Sequence, residues 1–156
     1  NSGEVANFPI VGSELKISEE AIKKSATDLM PKGTVLLSIT RHLRVSILAI
    51  DACANQSVVG ILENDFLLNS YIYPYLKDEI PRLMSLRSGA QQPHINKNIV
   101  DTIEFIIPKK NILNEYYKIA TPLYEKININ ALQNQQLTEL RDFLLPMLMN
   151  GQVVVK

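Results

Sequence analysis

The last third of the sequence carries a long helical pattern, and this pattern constrains the fold more than any other feature. Apolar residues recur there in steps of three and four, which places them on one face of a helix. They are Ile112, Tyr116, Ile119, Leu123 and Ile127, followed by Leu137, Leu140, Leu144 and Leu148. A helix from Asn111 to about Met149 would be roughly 57 Å long, further than a small domain is wide. Such a helix cannot bury its stripe on its own domain, so the pattern predicts a partner helix.

Two interruptions of the stripe bear on how this helix pairs. Its centre, residues 128–136, is rich in Asn and Gln, and polar seam residues lower stability but fix register and orientation. Pro122 removes one backbone hydrogen bond, which predicts either a kink or a fresh helix start capped by Thr121. We expect a second helix, from another copy of the chain, to pack antiparallel about a two-fold axis. The residues expected to face it are Tyr116, Leu123, Ile127, Leu137, Leu140 and Leu144.

The residues before the long helix predict a mixture of strands and short helices. Ser18, followed by two acidic residues, is expected to begin a short helix within residues 14–28. A second helical stretch is predicted within 66–87, where Pro74 and Pro81 should break or start segments. Runs of β-branched and apolar residues predict strands at 34–40, 43–50, 57–62 and 100–107.

The fold class that follows is α+β, with a small mixed domain over residues 1–110 and the long helix with its tail over 111–156. Sixteen basic residues balance sixteen acidic ones, which argues against a polybasic coat but allows a local basic patch. Cys53 is the only cysteine, so it predicts a buried reduced thiol and a cytoplasmic protein. No apolar run is long enough to span a membrane. The start is neither a signal peptide nor an initiating methionine, so we expect a fragment.

Two windows of the sequence lack acidic residues and carry three Lys or Arg residues each. The first basic window covers residues 29–50 and the second covers 80–100, and the only two histidines fall inside them. Arg, His, Asn and Gln side chains suit phosphates and base edges, so we expect both windows on one DNA-facing side. By composition alone, the two windows also fit an ordinary solvated surface, and residues 91–96 also fit a capped turn. The candidate DNA contacts are Arg41, His42, Arg44, Arg82, Arg87, Gln91, Gln92, His94 and Lys97.

Catalytic patterns are weak in this sequence. There is no nucleophile elbow, no phosphate-binding loop and no glycine-rich dinucleotide motif, and the two histidines lack metal-ligand spacing. Asp51, Glu63 and Asp65 could be imagined as a nuclease site, but a lysine at the usual short spacing is missing. We therefore expect no catalytic residue, no metal and no cofactor.

Three stretches together resemble the specificity subunits of Type I restriction-modification systems. They are LMPKGTVLLS at 29–38, SGAQQPHINKNIVDTIEFII at 88–107 and LTELRDFLLPMLMNGQV at 137–153. Asn55-Gln56 also falls where family members often carry this pair before a strand. The pieces keep their expected order over about residues 20–155. The sequence has no Trp, whereas family domains usually open with a Trp-bearing segment, so we expect the first strand to be missing.

The resemblance implies a target-recognition domain with its helical spacer, one half of a full subunit. Each such domain reads one half of a split sequence in double-stranded DNA, and the two spacers pack antiparallel. The partners implied are methyltransferase subunits, a restriction subunit and a second specificity half or a second copy. Methyl transfer and cleavage reside in those other subunits.

Two alternatives remain open on the sequence. The chain could be a structural or regulatory protein that dimerises through the same helix without reading DNA. It could also be a small enzyme whose site carries no known motif. Retention of a specific DNA sequence in the presence of the methyltransferase would distinguish a DNA-reading protein from the first alternative. A hydrolase assay of the purified protein tests the second alternative.

Overall fold

The structure, a computed structural model, describes residues 1–40, 42–86, 95 and 97–153. A single 3₁₀ turn at Glu4–Ala6 precedes four helices and five strands in these residues. The helices are α1 (Glu19–Lys24), α2 (Asn69–Ser85), α3 (Lys97–Asp101) and α4 (Lys110–Met149). The strands are β1 (Leu29–Met30), β2 (Val35–Ser38), β3 (Arg44–Ile47), β4 (Ala52–Cys53) and β5 (Val58–Ile61). The predicted α+β class is confirmed.

Strand β2 is the centre of a three-stranded antiparallel sheet with the order β3-β2-β5. All four of its residues are buried, as expected for a strand covered on both faces. Leu37 lies opposite Val45 on one side and Val59 on the other. The strands predicted within 34–40, 43–50 and 57–62 are thereby confirmed, because their β-branched and apolar runs fit a sheet with two buried faces.

Helix α2 covers one face of the sheet and forms the main core with it. Leu37, Ile47, Ile72, Leu76 and Leu83 are each 0–2% exposed. The opposite face is covered by the N-terminal segment, where a smaller core includes the buried side chains of Val5, Ile10, Leu36, Leu48 and Val58. Helix α1 begins after Ser18 as predicted, and Ser18 Oγ accepts the Ala21 N–H at 3.2 Å.

The prediction that Pro74 and Pro81 divide the second helical stretch is wrong, because α2 runs unbroken through both prolines. A proline inside a helix leaves the carbonyl four residues earlier without its N–H donor. For Pro81 that carbonyl belongs to the exposed Lys77, where water can replace the donor. For Pro74 it belongs to the fully buried Ser70, and the hydroxyl of Tyr116 donates to it at 2.7 Å.

The strand predicted at 100–107 is also wrong. Helix α3 occupies its start, and residues 103–109 have no regular secondary structure. Two tyrosine hydroxyls one turn apart on α2 bind this segment: Tyr71 donates to the Ile106 carbonyl at 2.6 Å and Tyr75 to the Glu104 carbonyl at 2.7 Å. Side chains of α2 therefore bind the backbone of this segment in place of a neighbouring strand. The apolar composition of the segment gave no sign of this arrangement.

Helix α4 confirms the long helix predicted from the apolar stripe. It is continuous through Pro122, so the alternative of a fresh start at Thr121 is wrong. The helix ends at the predicted Asn150-Gly151 pair, where Gly151 has a φ of +67°. Only Leu113 and Ala120 are buried on it. No helix in the described part of the chain is long and apolar enough to cross a membrane.

Tyr124 on α4 gives a pH test of how this helix docks. Its ring meets those of Tyr73 and Phe8 edge to face, and burial, followed by Tyr116 and Tyr73, raises its pKa from 10.0 to about 12. The folded state therefore holds this proton more tightly than the unfolded state does, and the associated stability is lost as pH rises from about 10 to about 12. We expect the thermal midpoint, followed by circular dichroism, to fall across this range. The thermal midpoint of Tyr124→Phe should fall less steeply with pH than that of the parent. Equal slopes for the two proteins would contradict this role for Tyr124.

Candidate nucleic-acid interface

A buried serine shapes the turn that carries the first basic window. Ser38 ends β2 and is 0% exposed. Its hydroxyl donates to the His42 carbonyl at 2.5 Å and accepts the Arg44 N–H at 3.0 Å. A polar group buried at this depth requires partners, and here both partners lie on the far side of the turn. Ser38 therefore holds together the two ends of the segment that contains residues 39–43.

The second basic window is joined to this same turn. The N–H of Ile95 donates to the carbonyl of Ile39 at 3.0 Å. The Ile95 side chain is 0% exposed and belongs to the main core, together with Leu43 and Leu83. One backbone hydrogen bond and one buried side chain thus bring Ile95 next to Ile39. The chain distance between the two is more than fifty residues, so the fold creates this proximity.

The described candidate contacts lie around this junction in different environments. His42 is exposed and Arg44 is half-buried at the start of β3. Arg82 is exposed on α2, one residue before the core residue Leu83, and forms an ion pair with Glu79. Exposed pairs of this kind contribute little, so a phosphate can compete for Arg82. Lys97 is the first residue of α3. Arg41, Arg87, Gln91, Gln92 and His94 lie outside the described residues.

Two of the three carboxylates considered for a nuclease site accept hydrogen bonds from the local backbone. Asp51 Oδ1 accepts the Lys32 N–H at 2.7 Å, and Glu63 Oε2 accepts the Asn69 N–H at 3.2 Å. Within the part of the chain that the structure describes, no group of three or more His, Cys, Asp or Glu side chains is placed to hold a metal. Asn55 Oδ1 likewise accepts the Ser57 N–H at 3.1 Å, a bond to the local backbone.

Sequence reasoning missed Ser38 and Ile95, the two residues that hold this region together. Ile95 had a visible signal, because it is the one large apolar residue in the polar run QQPHINKN. Ser38 had a weaker one, as a small polar residue at the end of an apolar run. Neither residue type suggests DNA contact, which is why a search for charged and amide side chains passes over both.

Most of the apolar stripe of α4 faces away from the recognition domain, and the exception is Tyr116, whose hydroxyl bonds to Ser70 on α2. Leu137 is 62% exposed and Ile119 69% exposed, whereas Ala120, on the side towards α2, is buried. The amide of Gln135 lies beside Gly12, so α4 follows its own domain at least that far with a different face. Among the residues expected to pair, Tyr116, Leu123, Ile127, Leu137 and Leu140 are exposed and Leu144 is half-buried.

The comparison with known protein families decides the family. Residues 1–139 match the family described as Type I restriction modification DNA specificity domain. The chain belongs to this family. The match covers the sheet, α2, both basic windows and most of α4, and the specificity domain defined by it therefore includes the junction between Ile39 and Ile95.

Two relatives of this specificity domain are known by name. The Type I restriction enzyme HindI specificity subunit of Haemophilus influenzae is 33% identical over 102 residues, which are 64% of this chain and 22% of that protein. The Type I restriction enzyme MjaIX specificity subunit of Methanocaldococcus jannaschii is 30% identical over 86 residues, 55% of this chain and 20% of that protein. The matched regions span about a fifth of the length of these relatives.

The contacts of Ser38 generate a prediction about this specificity domain. Ser38→Ala removes the hydroxyl that bonds to both the His42 carbonyl and the Arg44 N–H, which should lower the free energy of unfolding by about 1–3 kcal/mol. It should also speed hydrogen exchange at the Arg44 amide, measured by NMR.

Ser46→Ala is the matched control for this change. Ser46 is equally buried, but its hydroxyl donates to the Asn7 carbonyl in the N-terminal segment. The control should lose comparable stability in urea unfolding without faster exchange at Arg44. Similar exchange at Arg44 in the two variants would show that Ser38 does not hold the turn.

Proposed function

We propose that this chain is the DNA-reading half of a Type I specificity subunit and that the joined basic windows form its DNA-facing surface. The observation that supports the proposal is the Ile39–Ile95 hydrogen bond, which joins one residue of each acid-free window on a domain of this family. In this proposal residues 1–110 recognise DNA, and residues 111–156 form a spacer and pairing helix.

Recognition by such a surface divides into two kinds of contact. Lysines that meet phosphates hold the domain on DNA of any sequence, and their effect depends on salt. Arginine forks and the amides of glutamine can read guanine and adenine edges in the major groove. We assign phosphate contact to Lys97 and base reading to Arg41 and Gln91. His42, Arg44, Arg82, Arg87, Gln92 and His94 complete the proposed surface.

In this proposal, partner subunits carry out the chemical reactions on DNA. The relatives are named as specificity subunits of restriction enzymes, and the chain carries no nucleotide-binding motif or metal-ligand spacing. We place methyl transfer in methyltransferase subunits and cleavage in a restriction subunit, both directed to a split target by this chain. A helix-dimerising protein that does not read DNA is disfavoured, because the matched family is described by its DNA specificity.

The exposed stripe of α4 supports pairing with a second helix of the same kind. Leu123, Leu137 and Leu140 are each more than half exposed, which is costly for large apolar side chains that share one face. The polar centre at 128–136 suits an antiparallel partner, in which the two centres meet. We propose that the partner is the spacer of a second specificity half, or the same helix of a second copy.

The DNA surface can be tested by separating its two kinds of contact. Lys97→Ala should weaken binding to all sequences alike and reduce the salt slope by roughly one unit, because one fewer counterion is released. Gln91→Ala should cost about 1–3 kcal/mol on the target and relax one base position. Both effects are measured by DNA binding at several salt concentrations with the methyltransferase present.

Lys118→Ala is the control for the change of charge. Lys118 lies on α4 outside both windows and forms an exposed pair with Glu115. Its loss should leave the DNA affinity and the salt slope unchanged. If Lys118→Ala and Lys97→Ala have equal effects, the windows are not the binding surface.

The pairing helix is tested by charge on its stripe. Leu137→Asp combined with Leu144→Asp should leave the domain folded and abolish pairing, because two carboxylates would have to be buried against the partner. Light scattering over a range of concentrations measures the pairing.

Gln136→Asp combined with Thr138→Asp is the matched control for the stripe. These two exposed residues flank Leu137 in the chain but point about 100° to either side of it on the helix. The control adds the same charge and should keep the pairing. A monomer for the unmodified chain at high concentration would refute pairing with a second copy.

A further inference from the structure

A proline in α2 removes the usual donor of a buried carbonyl, and α4 supplies a donor in its place. Pro74 has no N–H for the carbonyl of Ser70, which lies one turn earlier. Ser70 is 0% exposed, and the Tyr116 hydroxyl donates to its carbonyl at 2.7 Å. The three other prolines inside helices, Pro81, Pro122 and Pro146, have the exposed residues Lys77, Lys118 and Asp142 at the corresponding positions. Of these four prolines, Pro74 is the one that removes the donor from the carbonyl of a buried residue. That carbonyl is the one to which α4 donates.

The neighbouring tyrosine satisfies the beginning of the same helix. Leu68 stands at the N-cap position of α2, where its apolar side chain cannot accept a hydrogen bond. The Tyr117 hydroxyl accepts the Leu68 N–H at 3.0 Å and donates to the Phe66 carbonyl at 2.9 Å. Helix α2 thus obtains from α4 both a partner for its first turn and the donor that Pro74 lacks.

These bonds restrict how α4 can move relative to α2. Tyr116 and Tyr117 leave α4 about 100° apart, so their hydroxyls reach α2 from two directions. Thr121, about 7.5 Å further along α4 than Tyr116, shares a hydrogen bond with the Ser70 hydroxyl at 3.2 Å. One bond would allow the helix to pivot, whereas four bonds from three residues, spread over about one and a half turns, oppose both rotation and tilt. Any tilt also exposes a buried carbonyl without a donor, which is unfavourable.

The length of α4 turns a small tilt into a large displacement. From Tyr117 to Met149 the helix extends about 48 Å. A tilt of about 10° at the tyrosines would move the far end by about 8 Å, which corresponds to roughly two base pairs of DNA at about 3.4 Å each. The direction of α4 therefore matters on the scale at which two halves of a DNA target are separated.

We propose that Tyr116 and Tyr117 are positioning residues that lock the direction of α4 and thereby set the separation of the two half-targets that a paired subunit accepts. The second part rests on the proposed function, and the first part does not. Neither residue needs to touch DNA for this role.

The direction of α4 can be measured by electron-electron spin distances in the whole chain. Spin labels at Asp78→Cys on α2 and Gln136→Cys on α4, in a Cys53→Ser background and diluted with unlabelled chain, report one intramolecular distance. The parent should give one narrow distribution. Tyr116→Phe combined with Tyr117→Phe keeps both rings and removes both hydroxyls, so the distribution should broaden or shift by several ångströms. An unchanged distribution would overturn the proposal.

Two further variants separate positioning from general stability. Tyr75→Phe removes a chemically similar hydroxyl, the one bound to the Glu104 carbonyl, and should leave the distance unchanged. Pro74→Ala added to the tyrosine double variant restores an N–H donor to the Ser70 carbonyl, so it should recover stability while the distance stays broad. If the distance is restored as well, the Tyr116 bond serves stability alone and the proposal fails. Thr121→Val provides the same distance test should the double tyrosine variant not fold.

The DNA part of the proposal has its own measurement. In the complex with the methyltransferase, the tyrosine double variant should methylate targets whose two halves are one or two base pairs closer or further apart than the parent accepts. Unchanged spacing together with a broadened distance would overturn this part. If the parent directs no methylation at all, the proposed function fails, and the spin distances still decide whether the tyrosines lock α4.

Discussion

Strand β2 is the element on which the rest of the domain depends, because it is buried on both faces and paired on both edges. Its side chains alternate between two cores, with Val35 and Leu37 in the one beneath α2 and Leu36 in the one beneath the N-terminal segment. The end of the strand is equally restricted, since Ser38 is buried and must use its hydroxyl within the protein. The turn that follows, and with it the first basic window, is therefore held by the core.

Buried serines join local structure to function at two places in this domain. Ser38 closes the turn of the first basic window, and Ser70 receives the bonds from α4. In both cases a polar group that water cannot reach is satisfied outside its own element, that of Ser38 by the turn and strand that follow it and that of Ser70 by α4. Such bonds contribute little net stability when made, but leaving them unmade is costly. They therefore specify geometry more than they add stability, which suits a protein proposed to place a surface accurately on DNA.

The sequence predicted the elements that depend on local pattern and missed those that depend on distant partners. The β-branched runs predicted β2, β3 and β5, and the apolar stripe predicted α4 to within a residue at each end. The break expected at Pro74 and the strand expected at 100–107 were wrong for one reason: tyrosines from α4 and α2 replace the missing backbone partners. The hydrogen bond between Ile39 and Ile95 was not predicted, because it needs Ile95 to enter a core built from other segments. The DNA contacts and the pairing of α4 stay predictions.

The most direct test of the central claim is a map of methylated bases in the genome of cells that contain this chain and its methyltransferase. The map is made twice, with the unmodified chain and with residues 39–43 and 87–97 exchanged for those of another specificity subunit. Our account predicts a split methylated motif, of which one half changes after the exchange while the other half and the spacing remain. The same motif after the exchange, or methylation that does not depend on the chain, would contradict it.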